Sequence, residues 1–101
     1  MKYELEFTTQ AKRDIKRLDK GIQPNVMKKL AQLRDNPYLG SPLRGDLKDF
    51  YSLHMSLPGG QYRAAYVIDE GNQLIIVAIV GTRENFYQEA RRRADAIMYP
   101  N

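Results

Sequence analysis

Apolar and polar positions along the chain change their period several times, and those changes predict the elements. Tyr3, Leu5 and Phe7 alternate with Lys2, Glu4 and Glu6, the two-residue period of a half-buried strand. Thr8 or Thr9 then offers an N-cap hydroxyl, and Ala11, Ile15, Leu18 and Ile22 recur at three- and four-residue spacing, as on one face of a helix. Gly21 and Pro24 interrupt it. Pro24 suits the first turn of a second helix, whose Val26, Leu30 and Leu33 carry the apolar stripe until Asn36-Pro37 stops it.

Residues 37–49 hold two prolines and two glycines and no period, so they read as a connecting loop. Tyr51, Leu53, Met55 and Leu57 then alternate with Ser52, His54 and Ser56. Pro58-Gly59-Gly60 makes a turn, and Tyr62 to Asp69 returns as a second strand of a hairpin. After a turn at Glu70-Gly71-Asn72, the nearly unbroken β-branched run from Leu74 to Val80 has the pattern of a central strand buried on both faces. Phe86, Ala90, Ala94 and Ile97 mark a last helix, from about Glu84 to Met98. The order is βααβββα. Short turns make the last three strands an antiparallel meander, and the helical crossover lets the first strand join as a fourth. The expected fold is α+β: a helical hairpin and a C-terminal helix on one face of a four-stranded, mostly antiparallel sheet, with the other face or one end left open.

The 101 residues are one domain, 1–101, because a second independent core does not fit in that length. Leu, Ile, Val and Phe make up close to a quarter of the chain, enough for a small core. No apolar run nears the ~20 residues that span a bilayer, and the start MKYELEF has neither a basic leader nor an apolar signal stretch. A cytoplasmic protein without membrane contact is expected. With no cysteine and one histidine, a disulfide framework and a zinc site are ruled out. The net charge of +4 favours an anionic partner, though many ordinary domains carry as much. On the first helix Lys12, Arg13, Lys16, Arg17 and Lys20 stand against Asp14 and Asp19, either a solvated face or a phosphate-contacting one.

His54 is the only histidine, on the polar side of its strand between Ser52 and Ser56. Imidazole titrates nearest neutral pH, so it is the first candidate for moving a proton, with a solvated surface group as the alternative. Arg63 lies on the strand expected to pair with that of His54, Arg83 just past the buried strand, and Tyr87 one helical turn later. If these four converge, two guanidiniums beside an imidazole and a phenol suit a phosphodiester, whose transition state gathers extra charge. In their ordinary roles Arg63 and Arg83 would pair with carboxylates and Tyr87 would pack. Asp46, Asp49, Asp69, Glu70 and Glu84 are scattered rather than clustered, so no metal or other cofactor is expected. A metal-free cleavage finds its nucleophile in the 2′-hydroxyl of RNA. Arg91-Arg92-Arg93 spans about 300° of a helix, so the three cannot all face one ligand. Phe50, Tyr51, Tyr62 and Tyr66 are either stacking groups for bases or core.

The segments FTTQAKRDIKRLDK, KKLAQLRDNPYLGSPLRGDLKDFYSLHM, QYRAAYVID and IVGTRENFYQEA carry a pattern that resembles the RelE/ParE superfamily of toxins from toxin–antitoxin systems, most closely its RelE branch. LRGDL, the Tyr-Arg of the third strand and Gly-x-Arg-Glu before a tyrosine-bearing helix recur there in that order. The resemblance implies a RelE-like fold and a toxin that enters the ribosomal A site, on the smaller of the two ribosomal particles, and cuts messenger RNA by 2′-hydroxyl attack, leaving a cyclic phosphate. It implies a RelB-like antitoxin as partner, with operator DNA contacted only through the complex. Arg63 looks like the arginine on the scissile phosphate, Arg83 like a second transition-state arginine, and Tyr87 like the helix tyrosine near the nucleophile. Arg44, Lys48, Ser52 and Arg91 are the further RNA-binding candidates. Where the RelE branch commonly has two lysines one residue apart, this chain has Ser52 and His54, which puts proton transfer on His54. A ParE-like inhibitor of DNA gyrase and a decayed toxin that only binds its antitoxin are the competing readings.

Overall fold

The computed structural model describes residues 2–82, 86 and 89–93. Strand β1 (Glu4–Phe7) sends Leu5 and Phe7 inward and both glutamates to solvent. Thr8 caps α1 (Thr9–Lys16) by accepting the Ala11 amide at 3.1 Å. This helix is shorter than its stripe implies, because after Lys16 the chain turns through Leu18 and Ile22, which still reach the core from the connection. Pro24 sits in the first turn of α2 (Gln23–Ala31), where its missing N–H breaks no helical hydrogen bond. Tight 3₁₀ turns at Gln32–Arg34 and Pro37–Leu39 end the hairpin, the second capped by Asn36.

The expected loop 37–49 is more structured than its composition suggests. Ser41–Pro42 forms a two-residue strand, β2, antiparallel to β3 (Tyr51–Leu57), and a third 3₁₀ turn occupies Gly45–Leu47. With β4 (Gly60–Asp69) and β5 (Leu74–Thr82) the sheet has five strands in the order β1-β5-β4-β3-β2, not four. So short a strand shows no period, and Pro42 can sit in it because it lies at the sheet edge. The β3–β4–β5 meander is antiparallel and β1 pairs with β5 in parallel, which the long connection between them, through both helices and the intervening strands, permits. Gly59 turns the β3–β4 hairpin at φ +100°, a conformation open to glycine at little cost.

The sheet packs on both faces, which corrects the expectation that all helices share one. On the first face Val26 and Leu30 of α2 and Ala11 of α1 meet Met55, Tyr62, Ala64, Tyr66, Ile75 and Val77. On the second, Phe86 and Ala90 join Leu47 and Phe50 over Ala65, Ala78 and Ile79. Phe86 and residues 89–93 are helical, in agreement with the expected last helix; its remaining positions fall outside the described residues. Opposite Ala65 and Tyr66 stand Ile79 and Val77, so Ala78 has no cross-strand partner and forms a bulge. Such an extra residue reverses the alternation beyond it. Ile75 and Val77 therefore face the hairpin before the bulge, and Val80 does so after it.

Candidate functional site

The apolar positions of β3 settle where its polar ones point. Tyr51, Leu53, Met55 and Leu57 all pack toward the helical hairpin, so Ser52, His54 and Ser56 stand on the second face. The antiparallel register sets His54 opposite Arg63, and Arg63 opposite Gly81 of β5. Directly opposed side chains start about 5 Å apart, which brings imidazole and guanidinium within reach of one phosphate group. The Phe86 and Ala90 cluster covers this face around Ala65 and Ile79, one pleat along from Arg63. His54 is exposed and Arg63 half-buried. Next to them Gln61 Nε2 donates to Ser56 Oγ at 3.0 Å. A Cβ placed on Gly81 would meet no described atom within 4 Å.

The other sequence candidates are dispersed. Ser52, two residues before His54, is only 7 % exposed, and its Oγ has no hydrogen-bond partner among the described residues. Arg44 and Lys48 are exposed on either side of the Gly45–Leu47 turn. Arg91 is exposed on the C-terminal helix. Arg83 and Tyr87 lie outside the described residues. The strand aromatics are core: Phe50 and Tyr66 are fully buried, Tyr62 nearly so, and Tyr51 stacks on Tyr66 at 5.6 Å. Tyr66 donates its hydroxyl hydrogen to the Pro37 carbonyl at 2.7 Å and accepts the Gly40 amide at 2.9 Å, pinning the loop that leads into β2.

A buried ion pair was not anticipated from the sequence. Arg93 donates through both terminal nitrogens to Asp14, at 2.7 and 3.1 Å, and also to the Ala78 carbonyl at the bulge, at 3.2 Å. Asp14 in turn accepts the Val80 amide at 3.1 Å. Two hydrogen bonds to Asp14 and a further ion pair with Glu89 at 3.0 Å hold the guanidinium charged and raise its already high pKa against the opposing effect of burial. The arginine triplet is thus divided, with Arg91 and Arg92 in solvent and Arg93 inside. A signal existed: Asp14 lies three residues after Ala11 and so on the sheet-facing side of α1, where a charge needs a partner. With Asp14 turned inward, only Asp19 offsets the five exposed cations of this region. Among the described residues no three His, Asp or Glu side chains gather as metal ligands.

This fold belongs to a known class of protein. A model of the family described as the ParE-like toxin of type II bacterial toxin–antitoxin system matches residues 5–91, and the chain belongs to that family. Its RelE-type relatives include an mRNA interferase toxin RelE of Escherichia coli strain K12, 29% identical over 96 residues that cover 92% of this chain and 98% of that one. The toxin–antitoxin complex RelBE2 of Mycobacterium tuberculosis contains a chain that superposes with a TM-score of 0.71 at 30% identity, over 82% of this chain and 100% of that one. An arginine-substituted mutant of E. coli toxin RelE in the free state superposes with a TM-score of 0.74 at 28% identity, over 92% and 98%.

Proposed function

We propose that the chain is the RNA-cleaving toxin of its module and cuts messenger RNA in the ribosomal A site without a metal. The observation that supports this most is the His54–Arg63 cross-strand pair, with Gly81 opposite Arg63, within a chain whose relatives include an mRNA interferase. In the reaction the substrate's 2′-oxygen forms a bond to phosphorus and the bond to the 5′-oxygen breaks, leaving a 2′,3′-cyclic phosphate and a 5′-hydroxyl. One proton leaves the 2′-hydroxyl and one reaches the departing oxygen. His54 carries one of these transfers, and the attack is intramolecular because the 2′-hydroxyl and the scissile phosphate belong to the same nucleotide, which the site holds in line for displacement. Arg63 donates to the non-bridging oxygens as their charge rises. Arg83 and Tyr87 take the second transition-state arginine and the orientation of the 2′-hydroxyl. Arg44, Lys48 and Arg91 hold flanking phosphates. An antitoxin partner is inferred from the toxin–antitoxin complex among the similar structures.

The test is primer extension on messenger RNA from programmed ribosomes, with ribosome-free RNA alongside. The wild type is expected to cut once within the A-site codon. His54→Ala should lose about 10²–10⁴-fold in rate and Arg63→Ala about 10²–10³-fold, with circular dichroism unchanged. Intact RNA together with altered plasmid topology would replace this reading by gyrase inhibition. Intact RNA with neither effect would leave an antitoxin-binding protein.

A further inference from the structure

Beyond the end of β1 at Phe7, opposite Val77, the remaining residues of β5 have no strand on that side among the described residues. A groove of about 460 Å³ opens there between α1 and the C-terminal helix, and Arg13, Arg17, Gly81, Thr82 and Arg92 contribute to its walls. Gly81 belongs at once to this groove and to the site, since it lies opposite Arg63. Two strand spacings, about 10 Å, separate it from His54. The groove therefore reaches from Gly81, opposite Arg63, to α1. Arg92 is paired with Glu89 at 2.7 Å and Arg93 with Asp14. Arg13 and Arg17 have no carboxylate partner among the described residues, are exposed, and stand one helical turn apart.

We propose that this groove is a track for the sugar–phosphate backbone of the substrate strand, with Arg13 and Arg17 neutralising phosphates next to those in the site. The proposal rests on the ribonuclease reading and extends it. An RNA strand fits better than a polypeptide for two reasons. Ile79, Val80 and Phe86, the apolar side chains in the wall, are all at most 3 % exposed, so a peptide would find little apolar surface to bury, and such anchors dominate protein interfaces. Strand addition along β5 is also obstructed, because Asp14 already takes the Val80 amide while Thr8 and Arg93 already donate to the Ala78 carbonyl. What the groove still offers is positive charge and a path, which suits a phosphodiester chain.

The direct measurement is fluorescence anisotropy of a 2′-O-methyl RNA oligonucleotide, which cannot be cleaved, bound to the purified toxin over a range of salt. Arg13→Gln/Arg17→Gln is compared with Lys28→Gln/Lys29→Gln, which removes equal charge from an exposed part of α2. Loss of two phosphate contacts should lower the slope of log affinity against log salt by about 1.4, and the α2 control should change it much less. Gly81→Val, whose Cβ meets no described atom within 4 Å, should weaken binding about tenfold or more, with thermal unfolding checking that the variant is folded. On ribosomes the arginine double variant should raise KM by a similar factor with kcat within about threefold. Equal slopes for the two double variants, with the wild type cutting RNA, would overturn the track and spare the nuclease. The expected drop in slope with no cleavage by the wild type would uphold the track and remove the nuclease. Tight binding of a polyglutamate peptide, lost in the arginine variant while RNA binding is unchanged, would assign the groove to an acidic protein and overturn the proposal.

Discussion

Ser52 and Tyr38 show how much one side chain's surroundings decide. The Ser52 hydroxyl is buried without a partner among the described residues, which costs more than its removal would. Ser52→Ala is expected to raise the unfolding free energy by about 1 kcal/mol in urea titrations; a loss of stability would mean that the hydroxyl is satisfied in solution. Tyr38 is exposed, yet its phenol is pushed up to about 12, first because Glu70 accepts its hydrogen bond and also because the Glu70 charge disfavours tyrosinate. The folded chain thus holds this proton more firmly than the unfolded one. The associated stability is complete below the ordinary value of 10 and is lost as the pH rises toward 12. In Tyr38→Phe the part of the alkaline fall in urea midpoint that comes from this group should vanish, and an identical fall in both proteins would dismiss the bond.

Among the elements, the Asp14–Arg93 pair joins α1, the β5 bulge and the C-terminal helix at one point. Removing one partner of a buried pair strands the other, so Asp14→Ala should cost about 3–5 kcal/mol, read from chemical denaturation. An exposed-pair loss below ~1 kcal/mol would show that solvent reaches the guanidinium. Glu89, held below its ordinary value of 4.5 chiefly by its hydrogen bond from Arg92, gives the helix an acid limit. Its contribution is present above that ordinary value and falls away as the pH drops below it, because the unfolded chain then binds the proton first. Gly40 has a different constraint, since a Cβ there would come within 2.6 Å of the Tyr66 hydroxyl and 2.8 Å of the Ser52 carbonyl. Gly40→Ala should lower the thermal midpoint by displacing Tyr66 from its two hydrogen bonds, and an unchanged midpoint would show that the loop absorbs the methyl.

For the molecule as a whole, charge sets the approach to an anionic partner. Lys12, Arg13, Lys16, Arg17 and Lys20 are all exposed, and Asp14 is not among their neighbours in solvent. Binding of single-stranded RNA should therefore weaken about tenfold or more between ~50 and ~200 mM salt, as expected for three or so neutralised phosphates. A flat salt response in anisotropy would mean that base contacts, not phosphates, dominate.

Strand and helix periods, a cap at Thr8 or Thr9, the Pro24 start and the turns at 58–60 and 70–72 were all legible in the sequence, because each depends on neighbours in the chain. So was the pairing of the strands that carry His54 and Arg63, which follows from a short hairpin, and the family motifs pointed to the same residues; that the two share a face came from the register. The strand β2, the second packed face, the inward turn of Asp14 and the groove beside Gly81 were decided only by tertiary structure. Ser41–Pro42 is a strand only because β3 lies beside it. Asp14 and Arg93 are 79 residues apart, and no local period relates a carboxylate on one helix to a guanidinium on another. The bulge at Ala78 had the least local signal of all, since in a continuous apolar run every residue fits either face until the partner strand fixes the register.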